Sequence, residues 1–353
     1  MFSSLPFGIL FVFTMIFGTL FSISSSHWLG IWAGLEINLI GFLPILVYQK
    51  SMSESESAVK YFIAQALGSS LLIFGSLSSY SISFSWDNIS EMDFSLVSLL
   101  IISSGLIVKM GMFPFHYWLP SVMAGLPWIS CMMLATWQKI APLLLINSVF
   151  ESNLMYYFML SICFMAAGSS LMGGIGGMNQ TQVRAILAYS SIGHLGWMMF
   201  ALSQSVWAMK MYFLIYILIS LCIFINLWYV NLDMMKSLNM LMKSSIYSSN
   251  AIMIMLVSLG GLPPLLGFIS KWAVITSSMN NTLWSFLLLL IMGSIMSLFY
   301  YLTLYFSIFL GSSKKFYLNT ISLGNLNFFM SFGLLLNMMG GIILILSGLL
   351  MEI

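Results

Sequence analysis

Residues 284–308 read WSFLLLLIMGSIMSLFYYLTLYFSI, and none of them is charged. As a helix rising 1.5 Å per residue that run extends about 37 Å, enough to cross the roughly 30 Å hydrocarbon core of a bilayer. A membrane β-strand would alternate in polarity over about ten residues; this run is longer and apolar on every side, so a helix remains. Residues 5–24 and 153–176 repeat the pattern. Of 353 residues 60% are hydrophobic and 6% charged, where soluble domains carry roughly a quarter charged, so no water-soluble surface can be built. The net charge of +2 comes from scattered loop lysines rather than a basic patch interleaved with exposed aromatics, and no nucleic-acid partner is expected.

Polar and turn residues divide the chain into about eleven spans, at 5–24, 28–48, 57–79, 95–119, 127–148, 153–176, 182–202, 207–231, 246–276, 282–308 and 323–349. The longest polar gap, Tyr80 to Asp93, is too short for a domain, so residues 1–353 are expected to form a single transmembrane domain, all-α and integral to the membrane. The first run has no basic segment before it and no small-residue cleavage signal after it, which predicts a retained helix rather than a signal peptide. With the N-terminus inside, Lys50, Lys60, Arg184, Lys236, Lys243, Lys314 and Lys315 all fall on the inner side and Lys210 alone among loop cations falls outside, as the positive-inside rule asks. Asp87, Glu91, Asp93, Glu151 and Glu352 then lie outside and Glu54, Glu56 and Asp233 inside.

Four charges remain, all within spans: Glu36, Lys109, Lys139 and Lys271. A charge near the bilayer centre costs about 2.5–3.5 kcal/mol even on insertion scales, so retained ones normally face one another or water. Glu36 lies about 12 Å past Trp28, and Lys139 about 18 Å past Pro127, counting by helical rise. Snorkelling to an interface, or one ion pair pinning two helices, would account for a single lysine. Three lysines against one carboxylate point instead to function. Desolvation favours the neutral amine and a nearby carboxylate the charged one, so a buried row of lysines can exchange protons through water.

Helix breakers accompany two of these lysines: Lys109-Met-Gly111-Met-Phe-Pro114 in the fourth span, and Gly260-Gly-Leu-Pro263-Pro264-Leu-Leu-Gly267 ahead of Lys271 in the ninth. Irregular backbone at membrane depth is tolerated only against protein or a wet cavity, and interrupted helices at matching places in two halves point to ion sites. Five crossings separate the two, so they run oppositely, as inverted-topology repeats require.

The remaining motifs carry less. His27 is placed outside, His116 at the inner end of the fourth span and His194 mid-span, so no two can form a haem ligand pair. His194, in Tyr189-Ser-Ser-Ile-Gly193-His194-Leu-Gly196, is a candidate proton-pathway residue, with a hydrogen-bonded core histidine as the equal alternative. Cys131, Cys163 and Cys222 stand singly in apolar runs and read as packing residues, and no metal site is expected. Gly173-Gly-Ile-Gly-Gly177 follows no strand and is read as close helix packing rather than a phosphate loop. Asn179-Gln-Thr181 matches a glycosylation sequon on the inner side, where a chance match is expected.

Four motifs resemble one known family: Trp32-Ala-Gly-Leu-Glu36-Ile-Asn38, Lys109-Met-Gly-Met-Phe-Pro-Phe-His116-Tyr-Trp118-Leu-Pro120, Thr136-Trp-Gln-Lys139-Ile-Ala-Pro142 and Gly260-Gly-Leu-Pro-Pro-Leu-Leu-Gly-Phe268-Ile-Ser-Lys271-Trp272. From end to end the chain is similar to the subunit 2 family of animal mitochondrial NADH:ubiquinone oxidoreductase (complex I), of arthropod type. The resemblance implies an antiporter-like subunit of the membrane arm, in the mitochondrial inner membrane with its N-terminus in the matrix and C-terminus in the intermembrane space. It implies proton translocation driven by quinone reduction elsewhere. No cofactor is expected in this chain, and NADH, FMN, iron–sulfur clusters and ubiquinone belong to other subunits. Other hydrophobic membrane-arm subunits and membrane lipids, including cardiolipin, are the implied partners. By motif, Glu36 corresponds to the carboxylate partnered with Lys109, Lys139 to the connecting lysine of a central hydrated axis, and Lys271 to the lysine toward the outer exit. The family's animal form is implied to lack three leading helices of bacterial relatives, and Ser121 stands after Pro120 where many relatives carry an acid. A stand-alone cation/proton antiporter is the alternative reading, and a structural scaffold with vestigial charges a further one.

Overall fold

A chain in hydrocarbon must satisfy its backbone N–H and C=O groups internally, and the apolar runs accordingly fold as α-helices. The structure is a computed structural model that describes residues 7–48, 51–83, 95–152, 155–230, 246–279, 283–316 and 331–340. The loop charges Lys50, Asp87, Glu91, Asp93, Asp233, Lys236, Lys243 and Glu352 lie outside the described residues, as do residues 323–330 and 341–349 of the last expected span. The helices are α1 (Gly8–Ser24), α2 (Trp28–Leu46), α3 (Met52–Ser83), α4 (Leu96–Met110), α5 (Trp118–Gly125), α6 (Trp128–Ala135), α7 (Trp137–Ser152), α8 (Tyr156–Met178), α9 (Val183–Gln204), α10 (Val206–Val230), α11 (Ile246–Gly260), α12 (Leu266–Ser278) and α13 (Trp284–Phe316). A shorter apolar helix, α14, follows at Ser331–Gly340.

Seven helices among the described residues are long and apolar enough to cross a membrane; Gly8–Ser24, Leu96–Met110, Ala251–Gly260 and Ser331–Gly340 are apolar but shorter. Two of these shorter helices end at the expected Gly/Pro breaks. The fifth expected span, 127–148, departs from the expectation of an unbroken helix: it is interrupted at Thr136, between α6 and α7. The Thr136 hydroxyl and amide both donate to Met132 O, at 2.7 and 3.0 Å, and Lys139 N turns back to Thr136 O at 3.3 Å. Such competition by a threonine hydroxyl for its own helix's carbonyl bends helices.

The described chain forms two compact units, Met1–Ile162 and Cys163–Ile353. In the first, α1 packs on α2, α3 on α4 and α5, and α4 on α7. Small residues permit the approach. A Cβ on Gly18 would stand 2.5 Å from Asn38 N and one on Gly41 2.7 Å from Met15 N; one on Gly105 would meet Gly68 O at 2.9 Å. In the second unit α9 packs against α10, α12 and α13, and α11 against α13. The Gly173–Gly177 run seats α8: a Cβ on Gly173 would meet Tyr189 O at 2.7 Å, and one on Gly174 Gly293 O at 2.8 Å.

Most serines within spans bond their own helix's carbonyl three residues back, as Ser22 does to Thr19 O and Ser170 to Ala167 O at 2.8 Å each. Their polarity is thereby absorbed locally. Cys131 and Cys163 are buried and Cys222 half-buried. Large apolar side chains such as Phe13, Phe17 and Leu20 on α1 and Leu288, Ile295 and Phe299 on α13 point outward, as lipid contact requires.

Candidate functional site

The intramembrane charges divide between the two units. In the first, α4 stops one residue after Lys109 because Gly111 turns into the left-handed region at φ 75°. Its N–H then reaches Ile107 O at 3.0 Å and Val108 O at 3.1 Å. Ending a helix inside the bilayer leaves carbonyls that lipid cannot satisfy. Here Trp118 Nε1 donates to Val108 O at 3.0 Å and Gln65 Nε2 to Lys109 O at 3.2 Å. The Lys109 ammonium lies 3.6 Å from Glu36 Oε1, with the lysine side chain 3% and the glutamate side chain 26% exposed. Gly68 makes room for it: a Cβ there would stand 2.8 Å from Lys109 Cγ.

Lys139 is 1% exposed and occupies the first turn of α7, immediately beyond the Thr136 interruption. Its chain neighbour Gln138 forms a reciprocal pair with Asn38 of α2, two residues beyond Glu36: Asn38 Nδ2 donates to Gln138 Oε1 at 2.7 Å and Gln138 Nε2 to Asn38 Oδ1 at 3.1 Å. Tyr61 OH approaches Gln138 Oε1 at 3.5 Å and is held edge-on between Phe42 and Trp118. Asn38, Tyr61, Gln65, Lys109 and Gln138 line a cavity of about 10 Å³, the size of one water molecule's allowance.

The second unit repeats the lysine-at-a-break arrangement with different compensation. After α11 the chain turns at Gly261, φ 78°. Lys271 of α12 reaches back across the break, its ammonium donating to Gly260 O at 2.8 Å. A cation at a helix C-terminus meets the negative end of the helix dipole. The same ammonium lies 5.9 Å from the ring centre of Trp197. Gly267 is required at the start of α12, where any Cβ would collide with Ser258 O. His194 on α9 pairs its Nδ1 with Tyr212 OH at 2.9 Å. His194 and Lys271 line one cavity of about 10 Å³, together with Ser190, Gly193, Trp197 and Ser297.

The structure therefore brings Glu36 to Lys109, sets Lys139 beside the polar pair that walls the Lys109 cavity, and gathers His194 with Lys271. His116, 1% exposed, lies in the first break with its ring tilted against Tyr117, ring centres 4.1 Å apart, instead of joining either group. Sequence reasoning passed over Asn38, Gln138, Tyr61, Gln65 and Tyr212. The available signal was their polarity within apolar spans, the same criterion that singled out the charges. Among the described residues no group of three or more His, Cys, Asp or Glu side chains is placed to hold a metal.

Comparison with known proteins extends these observations. The family profile described as NADH:quinone oxidoreductase/Mrp antiporter, TM matches residues 25–297. A curated relative from Lumbricus terrestris named NADH-ubiquinone oxidoreductase chain 2 is 42% identical over 301 residues, 83% of this chain and 84% of its own. One of the same name from Anopheles gambiae is 40% identical over 313 residues, 87% of each chain. Among solved structures, a chain of respiratory complex I from Thermus thermophilus with bound aureothin superposes with a TM-score of 0.80 at 24% identity, covering 98% of this chain and 78% of that one. A chain of the Mrp complex from Dietzia sp. superposes with a TM-score of 0.75 at 17% identity, covering 85% and 59%.

Proposed function

From the premise that this chain belongs to the NADH:quinone oxidoreductase/Mrp antiporter transmembrane family, and within it to the NADH-ubiquinone oxidoreductase chain 2 proteins, we infer that it is a core membrane-arm subunit of respiratory complex I. It is a multi-pass protein of the mitochondrial inner membrane and contributes to the proton translocation of an NADH:ubiquinone reductase. NADH, FMN, iron–sulfur clusters and ubiquinone act in other subunits of that enzyme, and other hydrophobic membrane-arm subunits and lipids such as cardiolipin surround this chain.

The finer reading is one antiporter-like domain of eleven crossings with inverted repeats, its N-terminus in the matrix and its C-terminus in the intermembrane space. The matching Gly111 and Gly261 turns and the shorter helices that fall on expected spans support it. Glu36, Lys109, Lys139, His194 and Lys271 form the proton path. The observation that carries this is that each of the three lysines is buried at an interrupted helix, where backbone freed from the helix needs a polar partner. A change in the Glu36–Lys109 pairing sets when the proton leaves Lys109; it passes to Lys139, then to the His194 and Lys271 group, and leaves on the outer side. A conformational change upstream biases the pairing.

The alternative, a stand-alone cation/proton antiporter, is compatible with a family whose description includes Mrp antiporters. Mild-detergent extraction followed by native electrophoresis, with the isolated chain assayed in liposomes for cation/proton exchange, decides between the two. The chain is expected to migrate with other membrane subunits and to exchange nothing alone; exchange by the purified chain would overturn the subunit reading.

A further inference from the structure

The Lys109 cavity has a wall of neutral polar side chains that are not themselves members of the proton path. Lys109 lines it and Lys139 does not; the wall on the α7 side is Pro142 and Gln138, the latter clasped to Asn38. A carboxamide donates and accepts hydrogen bonds but does not take up or release a proton under ordinary conditions. Closed on each other, the two amides exchange hydrogen bonds of 2.7 and 3.1 Å and offer nothing to carry charge. Parted, each would be a buried polar group in need of a partner, and water is the partner that fits a cavity of about 10 Å³. The pair therefore has two self-consistent arrangements, dry and clasped or open and hydrated.

Its position couples it to the charges on either side. Asn38 follows Glu36 by two residues on α2, and Gln138 immediately precedes Lys139 on α7, where the Thr136 interruption frees the start of that helix. A shift of α2 that alters the 3.6 Å Glu36–Lys109 contact also pulls on the clasp. The remaining polar groups at the cavity, Tyr61 and Gln65, are neutral and aimed at Gln138 Oε1 and Lys109 O.

We propose that the Asn38–Gln138 carboxamide pair is a gate on proton transfer from Lys109 to Lys139, closed while the amides are clasped and opened when they part around a water molecule. This rests on the reading that Lys139 receives the proton. In the open arrangement an N–H bond of the Lys109 ammonium breaks as an O–H bond forms on the water. Transfer continues along hydrogen-bonded water between the parted amides, one O–H bond breaking as the next forms, until the last O–H bond breaks as an N–H bond forms on the neutral Lys139 amine beyond the cavity wall. Lys109 is left as an amine and Lys139 as an ammonium, the water is regenerated, and no electron moves. Asn38 and Gln138 are positioning residues in this scheme, since they place the water and never hold the transferred proton.

The test uses the assembled complex in liposomes, reading protons pumped per electron pair and the solvent deuterium isotope effect on turnover. Lys139→Met sets the reference loss. The apolar pair Asn38→Leu/Gln138→Met, which can close the space but cannot hold water, is expected to show at least half that loss and a raised isotope effect. A merely structural defect would leave the isotope effect where it was. The swap Asn38→Gln/Gln138→Asn, which keeps the clasp and its combined length, is expected to recover at least half of the lost pumping. A normal ratio in the apolar pair beside a lowered one in Lys139→Met overturns the gate and leaves the relay standing; a normal ratio in Lys139→Met removes the relay and the gate with it. If the apolar pair fails to assemble, the swap decides, and an assembled swap that pumps as poorly as Lys139→Met overturns the gate.

Discussion

Gly260 and Gly261 are neighbours, yet alanine should be harmful at Gly261 and tolerated at Gly260. Gly261 holds φ at 78°, where an L side chain costs roughly 1–2 kcal/mol. Its new Cβ would also stand 3.0 Å from Lys271 Nζ, displacing an ammonium that donates to Gly260 O at 2.8 Å. A hydrogen bond from a charged group contributes about 1.5–3 kcal/mol, so the two effects sum to about 2.5–5 kcal/mol. At 1.4 kcal/mol per decade that is roughly two to four powers of ten in the equilibrium between the native break and its disrupted form. A Cβ on Gly260 would find Tyr301 Cδ2 at 3.5 Å as its nearest neighbour, an ordinary contact, and the residue ends a regular helix where alanine gains up to about 1 kcal/mol. The assay is the fraction of subunit retained in the assembled complex after graded heating, resolved on native gels, with pumping measured on what survives. Gly261→Ala should lose assembly at a clearly lower temperature and Gly260→Ala should match the parent. Equal behaviour of the two would refute the claim that a left-handed glycine and the lysine cap together hold this break.

Glu36→Gln removes the anion beside Lys109; at 3.6 Å and an effective dielectric of about 20 the attraction is near 5 kcal/mol, and with the glutamate 26% exposed a thermal cost of about 3 kcal/mol and reduced pumping are expected, read from melting and proton flux. Gly196→Ala drives a methyl into Ser169 and to 2.5 Å from Ala166 O, so assembly should suffer by about 3 kcal/mol, whereas Gly193→Ala meets nothing within 4 Å, should assemble, and should depress pumping by filling the His194–Lys271 cavity. Tyr212→Phe removes the 2.9 Å partner of His194, which should cost about 1 kcal/mol in a melting curve and slow proton transfer more than it lowers stability.

Hydrophobic length and the Gly/Pro clusters made the all-helical membrane character and two of the breaks legible, because hydrocarbon forbids unsatisfied backbone and glycine alone turns left-handed at Gly111 and Gly261 without penalty. The Thr136 interruption was not legible: it arises from a hydroxyl competing for Met132 O, with neither glycine nor proline to mark it. Burial of Lys109, Lys139 and Lys271 followed from charge sorting, while the pairing of Glu36 with Lys109 came from motif resemblance, and the two groups stand 3.6 Å apart. The Asn38–Gln138 clasp joins residues a hundred positions apart, and the His194–Tyr212 contact joins two helices; such tertiary partners leave no local pattern. Lys271 uses a backbone carbonyl where Lys109 uses a carboxylate, so these two buried lysines need only one acid between them.

The relay through mid-membrane lysines is tested most directly by the ratio of protons pumped to electrons transferred in assembled complex carrying Lys139→Met. Lys139 is 1% exposed, and methionine matches the length of much of its side chain, so the helix bundle can persist while the amine is gone. A ratio well below that of the parent, with the subunit still assembled, is the predicted result; an unchanged ratio would contradict the account.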